Sequence, residues 1–374
     1  MAERVLVTGG AGFIGSHTVD ALLADGFDVR ILDNLSRRVH PDGKPHYIPD
    51  EAEFIVGDVR DHEALRRSLE DVDVVLHCAA YQDYRTDFAH YTDVNTTSTA
   101  RIYEIIVGDR LEVDRVVIAS SQFVQGEGLY VDRGGAVRAP AFRTREQLDR
   151  GMWDHLDEEG YPMQWIPTGE DFSRPTNAYS LSKSGQEQTA LVLGARYGVP
   201  TTVLRYSIVQ GARHSFHNPY SGACRIFSLS YLAGRSPVIF EDGRQVRDFV
   251  NVADVVSANL LAIRSSEAVG RIFCVGGGTP ITIREFDRIV AAEFERLDME
   301  SNIPGIFRFG DMRHAVSDIG AISRLGWQPE RTTADSVREY VEWLRDGAVE
   351  PSILDRVARE MTIAGVVGHV RSKS

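Results

Sequence analysis

Three side chains in this sequence could together oxidise an alcohol. Tyr179 and Lys183 stand at i and i+4 in Tyr179-Ser180-Leu181-Ser182-Lys183, within a pattern that predicts a helix over 177–197, so they share one face. A phenol with its reference pKa of ~10 is a poor base at neutral pH, and a neighbouring ammonium favours its ionised form. Ser120-Ser121 closes the apolar run over 115–119, at the carboxyl edge where parallel sheets bind ligands. Ser121 could hold a hydroxyl while Tyr179 takes its proton. The hydride leaving the carbon then needs an acceptor.

A site for that acceptor lies near the N-terminus. The run over 4–8 leads into Gly9, Gly12 and Gly15, spaced i, i+3, i+6 at a strand-to-helix junction. Glycines there allow a tight turn and a close approach to a pyrophosphate, and the helix N-terminus offers free N–H groups. Asp33 ends the next strand, where an acid accepts hydrogen bonds from adenosine ribose hydroxyls and repels a 2′-phosphate. The pattern favours NAD over NADP, with Arg37 and Arg38 as the counter-signal. Asp58, after a third strand, is in reach of the adenine.

These residues need a scaffold that brings strand ends together. Strands are expected over 4–8, 28–33, 53–56, 72–78, 115–119 and 201–206, alternating with helices over 13–25, 61–70, 88–107 and 177–197. Such alternation means an α/β fold, a Rossmann-type doubly wound parallel sheet with right-handed crossovers. The chain divides into an NAD-binding domain over 1–210, a smaller C-terminal α/β substrate-binding lobe over 211–350 and a tail over 351–374. In the lobe, helices are expected near 224–233, 252–263, 283–297 and 333–344, with strands at 238–240 and 271–275. An insertion over 127–175, rich in Gly, Pro and charge, interrupts the first domain. It reads either as a surface segment packed by Trp153 and Trp165, or as a substrate-side lid or subunit contact.

The chain has 374 residues, 43% hydrophobic and 25% charged, enough to bury a full core. A net charge of −13 argues against a broad nucleic-acid or anionic-membrane surface, so an anionic ligand would rely on local arginines. Cys78, Cys224 and Cys274 have no CxxC spacing, which excludes a disulfide framework and suits a reducing cytoplasm. No apolar run reaches the ~18 residues of a membrane span, and the start has no cleavable signal pattern. The first strand begins at once, so the mature protein is expected to start here. His214 and His217 lack a nearby carboxylate or Cys, and no metal site is read from them. His77 reads as a core histidine and Asp254 as a helix-start acid. Tyr81, Gln82, Asp83 and Tyr84 follow the fourth strand, on the side expected to hold substrate.

With the glycine turn, Ser-Ser and YxxxK in this order, the chain resembles the extended short-chain dehydrogenase/reductases, in the NAD-dependent epimerase/dehydratase group that acts on nucleotide sugars. The resemblance runs from about residue 5 to residue 329. Its pieces are TGGAGFIG at 8–15, DNLS at 33–36, GDV at 57–59, HCAA at 77–80, VN at 94–95, SSQFV at 120–124, YxxxK at 179–183, LRY at 204–206, RDFVNVADVV at 247–256 and RFGD at 308–311. It implies that Gly9, Gly12, Phe13 and Ile14 hold the NAD pyrophosphate, Asp33 and Asn34 the adenosine ribose, and Asp58 and Val59 the adenine. Ala79 and Ala80 would line the path to the nicotinamide, and Asn95 and Tyr206 would add cofactor contacts. Tyr179 would be the base, Lys183 would bind the nicotinamide ribose and tune Tyr179, and Ser121 would bond the reacting sugar oxygen. Gln82 and Gln122 would touch the sugar, while Arg247 and Arg308 would grip the diphosphate. Members of the group are commonly homodimers through helices corresponding to 88–107 and 177–197.

The resemblance also separates chemistries. Sugar 4,6-dehydratases of the group carry an Asp-Glu pair after the Ser/Thr, and the decarboxylases keep the Glu; here Gln122 and Phe123 stand instead. A 4-epimerase needs only the Ser/Tyr/Lys set, NAD and room for a transient 4-keto sugar to turn over. HCAAYQDYRTDF, ASSQFVQGEG and LRYSIVQGARHSFHNPYSGACRIF are most similar to the dTDP-L-rhamnose 4-epimerases, with Ser207 and Ile208 as departures. The alternatives are a nucleotide-sugar 4-ketoreductase, a decarboxylase or dehydratase of the same group, and a non-enzymatic nucleotide-binding protein. The intact Ser121, Tyr179 and Lys183 speak against the last.

Overall fold

The computed structural model describes residues 2–83, 85–216, 222–347, 353–355, 359 and 367–370. The chain opens with β1 (Arg4–Thr8), α1 (Phe13–Ala24), β2 (Asp28–Asp33), β3 (Glu53–Val56), α2 (His62–Ser68) and β4 (Val74–His77). Next come α3 (Phe88–Tyr91) and α4 (Ser98–Gly108), joined by a π-helical turn over Thr92–Thr97, and then β5 (Arg115–Ser121). The insertion holds β6 (Leu129–Val131), β7 (Val137–Arg138), α5 (Arg145–Asp149) and β8 (Gln164–Ile166). It is followed by α6 (Ala178–Tyr197), β9 (Thr201–Tyr206), β10 (Ile208–Gln210), α7 (Ala223–Leu232), β11 (Val246–Arg247) and β12 (Phe249–Asn251). The chain continues through α8 (Val252–Arg264), β13 (Arg271–Val275), β14 (Ile281–Thr282), α9 (Ile283–Glu293), β15 (Ile306–Arg308) and β16 (His314–Ala315). The last elements are α10 (Gly320–Ser323), α11 (Thr333–Asp346) and β17 (Val367–His369).

Seven parallel strands form the main sheet in the order β13-β9-β5-β4-β1-β2-β3, a Rossmann-type arrangement. β4 and β9 are buried along their whole length, as strands covered on both faces must be. One face carries α1 and α8 over a core that includes Val7, Leu22, Ala258 and Phe273. The other carries α2, α4 and α6 over Leu6, Leu65, Ile105 and Ala190. A third core, with Phe227, Phe249, Phe286 and Tyr340, joins α7, α9 and α11 in the smaller lobe. Its Phe249 and Phe286 rings stack at 4.2 Å.

Three elements differ from the sequence expectation. The strand over 271–275, expected in the lobe, is β13 at the edge of the main sheet, paired with β9. Its buried Phe273, Cys274 and Val275 need cover on both faces, and the helix before it, α8, packs on α1. The main sheet and its helices therefore draw on residues well beyond 210. The strand expected at 238–240 is a single bridge from Val238 to Asn302. The helix expected over 88–107 is broken in register by the π turn, which places Asn95 against α6.

Candidate active site

The chain leaves β1 and β4 toward opposite edges of the sheet, and a solvent-open cleft of about 620 Å³ lies at their carboxyl ends. Gly9, Gly12, Asp33, Asn34, Asp58, Val59, Ala79 and Ala80 line it together. Gly9 has φ +69°, and a Cβ there would lie 2.7 Å from the Ala79 nitrogen; one on Gly15 would lie 2.3 Å from the Gly9 oxygen. Turn and helix press together so closely that no side chain fits. Gly12 caps α1 without a side chain, so the first-turn amides, those of Phe13 and Ile14 among them, lack an intrahelical acceptor. Such a cradle fits a dinucleotide pyrophosphate.

Beside it, Asp33 is buried, with Oδ2 accepting from the Ala11 amide (3.1 Å) and Oδ1 from the Leu35 amide (2.8 Å). Burial raises its pKa, and the Leu35 amide, His40 and the Ala11 amide oppose that rise. Asn34 Nδ2 donates to Asp58 Oδ2 at 2.9 Å, and Arg60 braces the same carboxylate. Burial pushes the Asp58 pKa up, but the hydrogen bonds from Arg60 and Asn34 outweigh it and hold the carboxyl well below the usual range. Arg38, part of the NADP counter-signal, lies 2.8 Å from buried Asp83.

The proposed proton-transfer group is placed by the start of α6. Asn177 Oδ1 accepts from the Ser180 amide (2.8 Å) while Ser180 Oγ accepts from the Asn177 amide (3.0 Å), a reciprocal cap that fixes where the helix begins. Tyr179 therefore sits in the first turn, and Lys183 one turn later, both buried. Burial pushes the Tyr179 phenol up to about 12, and a hydrogen bond with Ser121 pulls it down. Lys183 Nζ donates to the Ala119 carbonyl (2.7 Å) and to Gln186 Oε1 (2.8 Å), and burial lowers its pKa to about 8. The three residues expected to act together thus meet at the end of β5. In the protein alone the phenol is raised, contrary to the lowering expected from Lys183, because burial is the largest influence on it.

Two residues expected at the cofactor lie behind the cleft. Asn95 is fully buried and spends its amide on the Tyr81 carbonyl (3.0 Å), the Tyr81 nitrogen (2.8 Å) and Ser182 Oγ (2.8 Å). It straps the loop after β4 to α6, and its neighbour Val94 lines the cleft instead. Tyr206 has its hydroxyl on Asn259 (2.6 Å) inside the core, because this strand end faces α8. His77 is a satisfied core histidine, between Thr8 Oγ1 (2.6 Å) and Ser98 Oγ (3.1 Å). Asp254 lies in the first turn of α8 and accepts from the Glu330 and Arg331 amides.

On the substrate side, Gln122 is buried next to Ser121, and Gln82 is half-buried on the loop after β4. Arg247 and Arg308 come within electrostatic reach of each other. Arg308 holds Asp311 with two bonds (2.8 and 2.7 Å), while Arg247 donates to the carbonyls of Val246, Met312 and Arg313. The insertion packs against this segment through Trp153–Phe307 and Trp165–His314 ring contacts. His214 stacks on Phe13 at 4.7 Å; His217 and Tyr84 lie outside the described residues. Among the described residues no group of three or more His, Cys, Asp or Glu could hold a metal ion, and no helix is long and apolar enough to cross a membrane.

The sequence reading missed two buried ionic groups. Glu187 accepts from Ser120 Oγ (2.5 Å) and from Arg205 (2.9 and 2.8 Å), bracing the strand end that carries Ser121. An arginine inside the apolar run over 201–206 was the available signal, since a buried charge requires a partner. Glu127 and Arg143 of the insertion join Glu241 and Arg313 of the lobe in a second cluster, where Glu241 pairs with both arginines at 2.9 Å. Nothing local in the sequence marks these four as neighbours.

The profile of the NAD dependent epimerase/dehydratase family matches residues 5–147 and 158–276. The chain is 30% identical over 352 residues to a dTDP-L-rhamnose 4-epimerase of Burkholderia thailandensis, covering 91% of this chain and 95% of that one. It is similar to the UDP-glucose 4-epimerase of Thermotoga maritima, solved with UDP-glucose, at TM-score 0.74 and 28% identity over 92% of this chain and all of that one. It is also similar to the UDP-glucose 4-epimerase of Thermus thermophilus, solved with NAD, at TM-score 0.70 and 30% identity over the same shares. The chain belongs to the NAD-dependent epimerase/dehydratase family, as an NAD-dependent sugar-nucleotide epimerase.

Proposed function

We propose that this protein interconverts the C4 epimers of a nucleotide-diphosphate sugar, with dTDP-L-rhamnose and dTDP-6-deoxy-L-talose as the pair. One observation carries the 4-epimerase reading over others in the family. Ser121, Tyr179 and Lys183 meet at the end of β5, while the next two positions hold Gln122 and Phe123, which cannot act as an acid/base pair for loss of water. The relative from Burkholderia thailandensis, matched over nearly its full length, supports the rhamnose substrate.

NAD, when bound, would supply the acceptor and donor for a hydride at C4. Gly9, Gly12 and the first-turn amides of α1 hold its pyrophosphate, and Asp33 and Asn34 hold the ribose. Ser121 Oγ fixes the 4-hydroxyl, and Tyr179 takes the proton as the bond to hydrogen breaks. The desolvated phenol is too basic to ionise unaided, so positive charge at the site, from Lys183 and the nicotinamide side, must lower it. Tyr179 would give the proton back to O4 once the 4-keto sugar had turned in the pocket to present its other face. Arg247 and Arg308 hold the diphosphate throughout, which lets the sugar move while the nucleotide stays.

Exposed Phe88, Leu181 and Val192 on α3 and α6 support a homodimer through that face, and the free thiols of Cys78, Cys224 and Cys274 support a reducing, cytoplasmic site. The deciding experiment is proton NMR of the as-purified protein with dTDP-L-rhamnose, UDP-glucose and UDP-glucuronate, no cofactor added. A C4-inverted product of unchanged mass from dTDP-L-rhamnose alone is expected. Turnover that begins only when NADH or NADPH is supplied with a keto-sugar would make the protein a reductase.

A further inference from the structure

Gln122 directly follows Ser121 and is 2% exposed. As placed, Gln122 Oε1 lies 3.3 Å from Ser317 Oγ, and Nε2 has no hydrogen-bond partner. Ser317 Oγ is 2.8 Å from Ser207 Oγ, which is 2.8 Å from Asp248 Oδ2. All four side chains are buried, and they form one line of polar contacts from Asp248 to Gln122, the residue that follows Ser121.

The line has a direction, because each hydroxyl carries a single proton. Asp248 also accepts from the backbone N–H groups of Gly277, Gly278 and Ser317. These donors keep the carboxylate ionised at neutral pH, although burial raises its pKa to about 6. An ionised carboxylate only accepts, so Ser207 donates to it. Ser317 must then donate to Ser207. Toward Gln122, Ser317 has only lone pairs left, so the amide must offer it an N–H. With the carbonyl on that side, two oxygens would face each other with no proton between them. A half-turn of the amide exchanges its two ends, and the hydrogen-bond network is what decides between them.

We propose that Gln122 holds Ser317 with Nε2 and presents its carbonyl oxygen to the reaction site as an acceptor for a substrate hydroxyl, with Ser317, Ser207 and Asp248 as positioning residues. A buried carbonyl without a partner is costly, and a hydroxyl donor on the substrate relieves it. Gln122 also lines a small cavity with Trp165, Thr168, Met312 and Ala315. In a 6-deoxyhexose, C5 beside the reacting carbon bears a methyl group, so the neighbouring hydroxyl is the one on C3. A carboxylate or a fluorine in its place sets acceptor against acceptor. The choice of sugar rests on the epimerase reading above, whereas the orientation of the amide does not.

The test compares dTDP-L-rhamnose with its 3-deoxy-3-fluoro analogue, following C4 inversion by NMR. Fluorine cannot donate, so wild type is expected to lose about 10- to 100-fold in kcat/KM on the analogue. Gln122→Met should be slow on both sugars and distinguish them by less than about threefold. Asp248→Asn supplies an N–H to Ser207, reverses the line and should shrink the preference for the hydroxyl, a change in ratio that a purely structural role would not produce. A preference as strong in Gln122→Met as in wild type, or none in wild type, overturns the assignment. If wild type converts no dTDP-sugar, the epimerase reading fails and the orientation is read directly from the Gln122 side-chain amide protons in nitrogen-labelled protein. An upfield shift of one of them in Ser317→Ala supports the assignment, and unchanged amide protons overturn it.

Discussion

The cofactor cleft and the substrate side are built differently. The cleft is made of glycines, first-turn amides and two acids, most of them within reach of one strand-to-helix junction. Its contacts are to backbone and solvent, and few side chains lock one another. The substrate side is made of side chains far apart in sequence that neutralise one another in the interior, such as Glu127, Arg143, Glu241 and Arg313. The difference separates two ways of failing. Damage to the cleft should remove cofactor from a protein that stays folded, and damage to the buried clusters should unfold a protein that still has a good cleft.

The junction between the two regions gives the largest expected effect. Tyr179→Phe should lower epimerisation about a thousandfold, ~4 kcal/mol in the barrier, while bound NAD, measured in the supernatant after acid precipitation, stays at the wild-type level. Unchanged turnover would remove Tyr179 as the base. On the substrate side, Glu241→Gln leaves Arg143 and Arg313 without their shared charge and should cost about 3 kcal/mol of stability in denaturant unfolding. A loss below ~1 kcal/mol would mean that the cluster behaves like a solvated surface. On the cofactor side, Gly15→Ala meets the Gly9 oxygen and should cost about 1–3 kcal/mol in strain, read chiefly as a protein that purifies with less NAD. Full retention of NAD would break the contrast between the regions.

The smallest effect concerns Asp58. Its folded pKa is depressed, so its contribution to stability is complete above the unfolded carboxylate range near ~4 and is lost as the pH falls below it. The pair with Arg60 is partly exposed, which limits the contribution at pH 7 to under ~1 kcal/mol. Asp58→Asn should therefore unfold slightly earlier than wild type at pH 7, with the gap closing toward pH 3. A gap that widens at low pH would contradict the depressed pKa.

The glycine turn, Asp33 and the α6 pair were legible because each rests on a local rule. A glycine is needed where a Cβ would meet backbone, an acid ends a strand, and two side chains share a face at i and i+4. Asn95 and Tyr206 instead spend their polar groups on partners distant in sequence, which no local rule announces. The π turn rotates Asn95 onto Ser182, and the strand end turns Tyr206 toward Asn259. β13 is a further case, since an apolar run of five residues cannot state which sheet will take it.

By itself the sequence determined the doubly wound architecture, the cofactor turn and the residues able to move a proton. Periodicity, glycine geometry and helical spacing act over a few neighbouring residues. Only the tertiary structure decided how burial acts on those residues: a phenol raised to about 12, a lysine lowered to about 8, and a glutamine linked through two serines to an aspartate 126 positions away. Desolvation and proton counting depend on which atoms share an interior, and that is fixed by packing between distant segments rather than by any local pattern.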